Sequence, residues 1–296
     1  MDLNKVRDRA LGAYVGLAIG DALGATVEFM TASEIAATHG IHRELTGGGW
    51  LHLPPGQVTD DTQMALALGR ALLSHPPPWS ATRIADEFIN WMHSHPPDIG
   101  QTVRRGLRRY LLTGAVEAPP SEADGGNGAA MRHLPCVLAT LGEPDLLEIT
   151  CLKQAHITHN HPFSDSGMLL LATLTRRGIL DGDSATALHL AHEFVGTHPE
   201  FRFRPWPRRT TGYIVDTVQT VLDAVFNTDN FEDCVVTAVN RGGDADTIGA
   251  LAGQLAGALY GASAIPLRWL RKLDPLVLRS VEQQARSLLA LPSARM

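Results

Sequence analysis

The chain has 296 residues, of which 44% are hydrophobic and 19% charged, and its formal net charge is −6 at pH 7. This composition is typical of a soluble globular protein with a sizeable core, and the mildly negative charge argues against a nucleic-acid-binding surface. The 3 cysteines are scattered and form no CxxC pair, and residues 1–9 are charged, without the apolar core of a signal peptide. Both features predict a reducing, cytoplasmic location.

The first predicted element is a helix over residues 4–24, apolar on most faces, with a glycine at every fourth position from 12 onward. Asp21 lies inside it and needs a partner if it is buried. The uncharged run Thr247–Leu267 repeats the glycine stripe and imitates a transmembrane face. Its alanine and glycine content instead favours two glycine-ridged helices that approach closely and cross in a helical core. Their packing would bring Glu28, after the first helix, close to Asp246 at the start of the second.

Residues 31–57 are predicted to be irregular, with a flexible glycine loop at 46–50. A helix over about 60–73 follows, and Thr59-Asp60-Asp61 lies where the loop enters it. First-turn N–H groups favour carboxylates, so an N-cap with a spare surface acid would explain this cluster. A hydroxyl and two adjacent carboxylates also make half of a site for a hard divalent cation.

A helix over about 81–93 is followed by a proline turn that places Asp98 before another helix, either as an N-cap or as a functional acid. That next helix carries arginines at 104, 105, 108 and 109, which indicate a solvated basic face or a contact for a phosphate or an acidic partner. The loop over 114–128 ends in Gly125-Gly126-Asn127-Gly128. Before a helix, this sequence is either an ordinary turn or an anion cradle, because free N–H groups can bind phosphate oxygens.

His159 and His161 could bind a transition metal, but no thiolate or third histidine is spaced to complete a zinc site, so a polar cleft lining is favoured. The aromatic and basic stretch 201–209 is interpreted as a surface loop, with base stacking or partner docking as the alternative. No run of alternating strands occurs, so the predicted class is all-α. The remaining helices are predicted over about 144–157, 165–177, 184–195, 211–226 and 231–240.

A second acidic cluster, Asp244-Ala245-Asp246-Thr247, follows a tight Gly-Gly turn and again lies where a loop enters a helix. Its chemistry matches that of Thr59-Asp60-Asp61. If the fold brings the two clusters together, their carboxylates and hydroxyls suffice for two octahedral cations with water completing each shell. Without counter-cations such a cluster would repel itself strongly. We therefore predict a binuclear metal site between them.

Motifs along nearly the whole chain resemble the ADP-ribosylglycohydrolase family. They are Gly20-Asp21-Ala22-Leu23-Gly24 followed by Glu28, Thr59-Asp60-Asp61-Thr62, Gly125-Gly126-Asn127-Gly128-Ala129-Ala130-Met131-Arg132 and Arg241-Gly242-Gly243-Asp244-Ala245-Asp246-Thr247. The resemblance implies a compact all-α fold, a single-domain orthogonal helical bundle over residues 1–296. It also implies two divalent cations, Mn²⁺ in the first place with Mg²⁺ or Fe²⁺ as alternatives. The implied ligands are Thr59, Asp60, Asp61, Asp244, Asp246 and Thr247, with Glu28 in or beside the coordination sphere.

The reaction implied by the resemblance is hydrolysis of the N-glycosidic bond between ADP-ribose and an arginine side chain of a modified protein. One branch of the family, indicated by Pro97-Asp98-Ile99-Gly100 and the chain length, restores the nitrogenase iron protein. That branch implies the iron protein as substrate and PII-type signalling proteins as regulators. No nucleic acid and no transmembrane segment are expected, and membrane recruitment would be peripheral, through partners.

We expect Asp98 to contact the substrate guanidinium or to act as general base, with Asp60, Asp246 and Glu28 also taking part in catalysis. Other hydrolases remain as alternatives, either an ADP-ribosyl hydrolase for serine or ester linkages or a dimetal phosphoesterase. A non-catalytic ADP-ribose-binding protein is a further alternative. The expected substrate-binding residues are Gly125, Gly126, Asn127 and Gly128 for the diphosphate, Gly100 for close approach, and His159 and Tyr213 on the nucleotide side.

Overall fold

A computed structural model describes residues 2–295, and the structural statements below concern that part of the chain. It contains fourteen α-helices, and its only β-structure is three isolated bridges, which confirms the predicted all-α class. The helices are α1 (Leu3–Gly24), α2 (Ala32–His39), α3 (Asp60–Leu73), α4 (Ala81–His93), α5 (Gln101–Thr113), α6 (Leu134–Ala139), α7 (Pro144–Ala155), α8 (Pro162–Asp181), α9 (Ser184–Thr197), α10 (Ile214–Phe226), α11 (Phe231–Val239), α12 (Ala245–Tyr260), α13 (Leu267–Lys272) and α14 (Pro275–Leu289).

The two glycine-ridged helices, α1 and α12, form the centre of the fold. They run antiparallel, and the glycine ridge of one lies on the ridge of the other along the whole length instead of at a single crossing point. A β-carbon at Gly20 would lie 1.9 Å from the carbonyl oxygen of Gly249, so only glycine permits this approach. At the end of the pair Gly24 lies against Ala245, so the last turn of α1 meets the first turn of α12. Both predicted acidic segments therefore meet at this end.

The prediction that residues 31–57 are irregular is wrong for residues 32–39, which form α2. Thr31 is its N-cap and makes a reciprocal capping box with Glu34. The Glu34 amide donates to Thr31 Oγ1 at 3.3 Å, and the Thr31 amide donates to Glu34 Oε2 at 2.7 Å. The Thr-x-x-Glu signature of a helix start is present in the sequence, so this helix was predictable.

The uncharged run after Thr247 is helical only as far as Tyr260. Gly261 has φ +85°, which ends α12, and a turn leads to α13. Among residues 2–295, no helix is both long enough and apolar enough to cross a membrane. The stripe of small residues is therefore used for the contact with α1.

In the stretch 201–209 the aromatic side chains are used for packing. Phe201 and Phe203 are buried. The ring of Trp206 lies 3.9 Å from the guanidinium carbon of Arg241, and its indole N–H donates to Thr220 Oγ1. The exposed part of the stretch is basic, because its aromatic rings are turned into the protein.

Candidate metal centre

The two acidic clusters meet at the open end of the α1–α12 pair. Carboxylate oxygens of Asp60, Asp61 and Asp246 lie within 4.8 Å of one another, and so do oxygens of Glu28, Asp244 and Asp246. Asp246 belongs to both groups, so the five carboxylates form two adjoining ligand sets with one shared member. This arrangement suits two neighbouring divalent cations, since a carboxylate has two oxygens and can bridge them.

Backbone hydrogen bonds fix Glu28 beside the second cluster. The amide of Phe29 donates to the carbonyl of Gly243 at 2.7 Å, and the amide of Gly243 donates to the carbonyl of Met30 at 2.8 Å. The segment after α1 is thereby joined to the turn before α12. The structure thus brings Glu28 to Asp246, as the packing of the two glycine helices suggested.

The start of α3 is capped by a residue from another helix. Thr59 occupies the N-cap position, but its side chain makes no capping bond. Asp21 of α1 instead accepts from the amides of Thr59 at 2.9 Å and Thr62 at 3.0 Å and from the Thr62 hydroxyl at 2.5 Å. Asp60 and Asp61 are buried, and neither is the residue that caps the helix. The alternative explanation of this cluster, an N-cap with a spare surface acid, is therefore wrong.

Two buried carboxylate oxygens in this cluster, Asp61 Oδ1 and Asp246 Oδ1, have no hydrogen-bond partner within residues 2–295. Thr59 Oγ1 lies 3.4 Å from oxygens of both side chains, and Thr247 Oγ1 lies 3.3 Å from Asp61 Oδ2. Buried charges without partners are strongly destabilising unless they are paired or bind a metal. An all-oxygen donor set also suits Mn²⁺ or Mg²⁺ better than zinc. The residues present therefore fit a pair of hard divalent cations.

Burial raises the pKa of every carboxyl in the two ligand sets. It raises the pKa of Asp60 to about 7, that of Asp244 to about 6 and that of Glu28 to about 8. The pKa values of Asp61 and Asp246 also lie well above the ordinary range, first because of burial and then because of repulsion from neighbouring carboxylates. Nearby cations would reverse these shifts by favouring the charged forms.

A cavity of about 260 Å³ opens above the acidic cluster. Asp98 is half-buried in its wall and accepts from the Ile99 amide at 2.8 Å. Gly100, not Asp98, occupies the N-cap position of α5, and its amide donates to Asp60 Oδ2 at 3.3 Å. Asp98 therefore faces the same cavity as the cluster without serving as the cap.

The glycine loop at residues 125–128 contributes Gly126, Asn127 and Gly128 to the cavity lining. The Asn127 side chain donates to Asp244 Oδ2 at 2.5 Å and to Thr217 Oγ1 at 2.9 Å, so it holds a carboxylate of the cluster in place. The amides of Gly126 and Gly128 donate to no acceptor within the described chain. Unpaired backbone N–H groups are a feature of anion-binding loops, although the next helix, α6, begins only at Leu134 and not directly after this loop.

His159 is buried in the cavity wall, and its tautomer follows from its neighbours. Arg132 donates to Thr158 Oγ1 at 2.7 Å, and that hydroxyl lies 2.8 Å from His159 Nδ1. Within the described chain the hydroxyl has no other acceptor for its own proton, so it donates to Nδ1, which places the hydrogen of the ring on Nε2. Burial, with Arg132 and Arg105 nearby, holds the pKa of His159 well below its ordinary value. The neutral ring can thus donate from Nε2, beside the glycine loop.

The structure places three predicted site residues outside the cavity lining, and the first of them, Thr59, is fully buried before the start of α3. Gly125 lies next to the loop residues that line it, and the ring of Tyr213 rests on Gly125 at the surface, 39% exposed. Sequence reasoning missed the capping role of Asp21, although it required a partner for that residue. It also missed Trp50, whose indole N–H donates to Glu28 Oε2 at 2.6 Å. Both contacts join segments that are distant in the chain, so no local pattern indicates them.

Comparison with known proteins agrees with this geometry. The family model described as ADP-ribosylglycohydrolase matches residues 2–295. The chain is 54% identical over 286 residues to ADP-ribosyl-[dinitrogen reductase] glycohydrolase of Rhodospirillum rubrum, covering 97% of both chains. It is 34% identical to ADP-ribosylarginine hydrolase Tri1 of Serratia proteamaculans, covering 90% of this chain and 75% of that one. A solved structure titled ADP-ribosylglycohydrolase-related protein complex superposes with a TM-score of 0.84 at 38% identity, over 96% of this chain and 98% of the other.

Proposed function

The chain belongs to the ADP-ribosylglycohydrolase family, and from that membership we propose that it hydrolyses the N-glycosidic bond between ADP-ribose and an arginine side chain of a modified protein. The observation that carries the proposal is the pair of adjoining carboxylate sets that share Asp246. The relative in Rhodospirillum rubrum is named for its action on dinitrogen reductase, which makes the ADP-ribosylated nitrogenase iron protein the proposed substrate.

Two divalent cations complete the proposed centre, with Mn²⁺ as the first choice and Mg²⁺ or Fe²⁺ as alternatives. Bound there, they would supply positive charge that orients the ribose hydroxyls and polarises the attacking water. The proposed ligands are Thr59, Asp60, Asp61, Asp244, Asp246, Thr247 and Glu28. Support comes from the all-oxygen donor set and from the two unpartnered buried oxygens, since hard cations prefer several oxygen ligands.

In the reaction, water adds to the anomeric carbon of the ribose, the bond from that carbon to the guanidine nitrogen breaks, and free ADP-ribose and unmodified arginine result. Asp98 lies in the cavity wall, where a carboxylate can take the proton of the water or hold the substrate guanidinium. The unengaged amides of Gly126 and Gly128 would receive the diphosphate. His159 would donate from Nε2 to the same part of the substrate.

We also propose a regulator and a location. A PII-type signalling protein is the proposed regulator and the cytoplasm the proposed compartment, with any membrane recruitment occurring through partners. This part of the proposal rests on the family relationship. Binding of the purified chain to a PII-type protein is the direct measurement, and no detectable complex would refute this part of the proposal.

The proposed reaction is tested by incubating the chain with an arginine-linked ADP-ribosyl protein in Mn²⁺ or in a chelator, and measuring free ADP-ribose. Asp246→Asn should abolish release, because Asp246 belongs to both ligand sets. Asp98→Asn should lower kcat by at least about a hundredfold if it acts as general base, with Mn²⁺ binding unchanged. The matched control is Asp145→Asn, an exposed acid in the first turn of α7, which should leave the rate unchanged.

Serine-linked and ester-linked ADP-ribose and a simple phosphate ester serve as competing substrates. Preferred cleavage of either other linkage, or release of inorganic phosphate, would assign the centre to a different hydrolase. ADP-ribose binding without metal-dependent turnover would indicate a binding protein instead.

A further inference from the structure

The glycine loop at residues 47–49 holds Trp50 beside the metal centre. Gly47, Gly48 and Gly49 have φ values of +69°, +93° and +66°, a backbone path that residues with a β-carbon rarely adopt. A β-carbon at Gly49 would lie 2.3 Å from the carbonyl oxygen of Ala25, so the loop is packed directly on the chain that leads to Glu28. This backbone is fitted to that surface, and the residue that follows it is Trp50.

Trp50 makes one polar contact with the centre. Its Nε1–H donates to Glu28 Oε2 at 2.6 Å, while its ring, 48% exposed, lies 5.5 Å from that of Phe29. Within the described chain this indole is the only hydrogen-bond donor to the Glu28 carboxylate. The other carboxylates have different supports, since Asp60 accepts from the Gly100 amide and Asp244 from Asn127. The orientation of Glu28 therefore depends on Trp50.

We propose that Trp50 is a positioning residue for the metal centre: it holds one oxygen of Glu28, so that the carboxylate stays next to those of Asp244 and Asp246, with which it would hold a cation. The inference rests on the proposed metal centre. A glutamate side chain has three rotatable bonds, and fixing them on metal binding costs conformational entropy. A hydrogen bond already made in the metal-free protein removes part of that cost, and carboxylate ligands are commonly oriented in this way.

The test is calorimetric titration of Mn²⁺ into the full chain and four variants. Trp50→Phe retains an aromatic ring next to Phe29 but removes the N–H donor. Glu28→Gln and the double variant complete a thermodynamic cycle. The matched control is Trp91→Phe, which also removes one indole hydrogen bond, to Gln63 Oε1 at 3.0 Å, outside the cavity lining.

We expect Trp50→Phe to weaken Mn²⁺ binding by about tenfold or more, the usual effect of losing a partner of a metal ligand. The control should bind Mn²⁺ as the unaltered chain does. In the Glu28→Gln background, Trp50→Phe should cause no further loss, because its effect passes through Glu28.

Three results from the variants would overturn the inference. They are Mn²⁺ affinity within twofold of the unaltered chain in Trp50→Phe, tighter binding in that variant, and an equal loss with and without Glu28. A chain that binds no Mn²⁺ at all would also overturn it. Because the readout is metal affinity, a chain that shows the expected cycle but releases no ADP-ribose would refute the proposed function and leave this inference standing.

Discussion

Asp21 is a buried capping residue for a helix to which it does not belong, and its isosteric replacement gives a sharp prediction. Asp21 Oδ1 accepts from the Thr59 amide, and Oδ2 accepts from the amide and hydroxyl of Thr62. Asparagine has one acceptor oxygen in place of two. In either orientation of the amide group, Asp21→Asn leaves at least one buried backbone N–H facing an NH₂ group.

An unsatisfied buried donor costs about 1–3 kcal/mol, so we expect Asp21→Asn to lower the free energy of unfolding by about 2 kcal/mol. Removing the charge of Asp21 also relieves repulsion in the cluster, since Asp21 is, next to burial, the largest cause of the raised pKa of Asp61. The measurement is therefore made with saturating Mn²⁺, which offsets that repulsion. Urea unfolding followed by circular dichroism gives the free energy, and Mn²⁺ affinity should fall as well because Thr59, Asp60 and Asp61 lose their support.

The control is Asp183→Asn at the start of α9. Asp183 caps a helix start too, as the N-cap residue of α9 itself, and it accepts from the Ala185 amide at 3.0 Å and the Thr186 hydroxyl at 2.5 Å, but it is exposed. Asparagine and aspartate are nearly equal as exposed caps, so we expect a change within about 0.5 kcal/mol. Equal unfolding free energies for the two variants would refute the reasoning from buried capping.

Three further predictions concern the same centre. Between pH 4 and pH 8 the metal-free native state retains protons that the unfolded state has lost, because the pKa values of Asp60 and Glu28 rise to about 7 and about 8. Its free energy of unfolding should therefore fall with rising pH, by about 1.4 kcal/mol per pH unit for each retained proton, and saturating Mn²⁺ should abolish this slope in urea titrations. Thr158→Val should allow both neutral tautomers of His159 and raise KM for the ADP-ribosylated substrate about tenfold, which corresponds to about 1.4 kcal/mol of binding free energy. A ¹⁵N spectrum that still shows hydrogen only on Nε2 of His159 would contradict this prediction. Gly20→Ala should destabilise the protein by about 3 kcal/mol or more in thermal unfolding, since its β-carbon would meet backbone, whereas Gly196→Ala, in open space on α9, should be neutral or stabilising.

The helical class and the pairing of α1 with α12 could be predicted because both follow from local pattern. Glycine at every fourth position marks a face on which another backbone can lie, and two such faces in one chain are natural partners. The signal for α2 is equally local, because the capping box of Thr31 and Glu34 lies in the sequence, but the glycines that follow it favoured a prediction of irregular structure. The bounds of α12 could not be read from the absence of charge, because Gly261 ends the helix by its backbone conformation while the run remains apolar.

The acidic residues of the centre could be identified from composition and position, but their supports could not. Asp60, Asp61, Asp244 and Asp246 each lie near a helix start, a pattern that sequence displays. The contact of Asp21 with Thr59 spans 38 residues, and that of Trp50 with Glu28 spans 22. They depend on how α1 and the loop at residues 47–49 pack. Asn127 shows the same limit. From the sequence it was predicted to belong to a phosphate-binding loop, whereas in the structure its side-chain amide donates a hydrogen bond to Asp244.

The close packing of α1 on α12 maintains the crowding of carboxylates at the end of this pair. Repulsion within the cluster pushes the segment after α1 away from the start of α12, and in the metal-free protein protonation and a few hydrogen bonds offset part of it. The backbone contact along the glycine ridges runs from Gly12 to Gly24 of α1, and backbone hydrogen bonds join Phe29 and Met30 to Gly243. Both sets of contacts resist that separation. A smaller helix interface would let the cluster relax apart, and the two ligand sets would then have to assemble at the moment of metal binding. The ridges thus keep the sets assembled beforehand, which lowers the ordering cost of binding cations at Asp246.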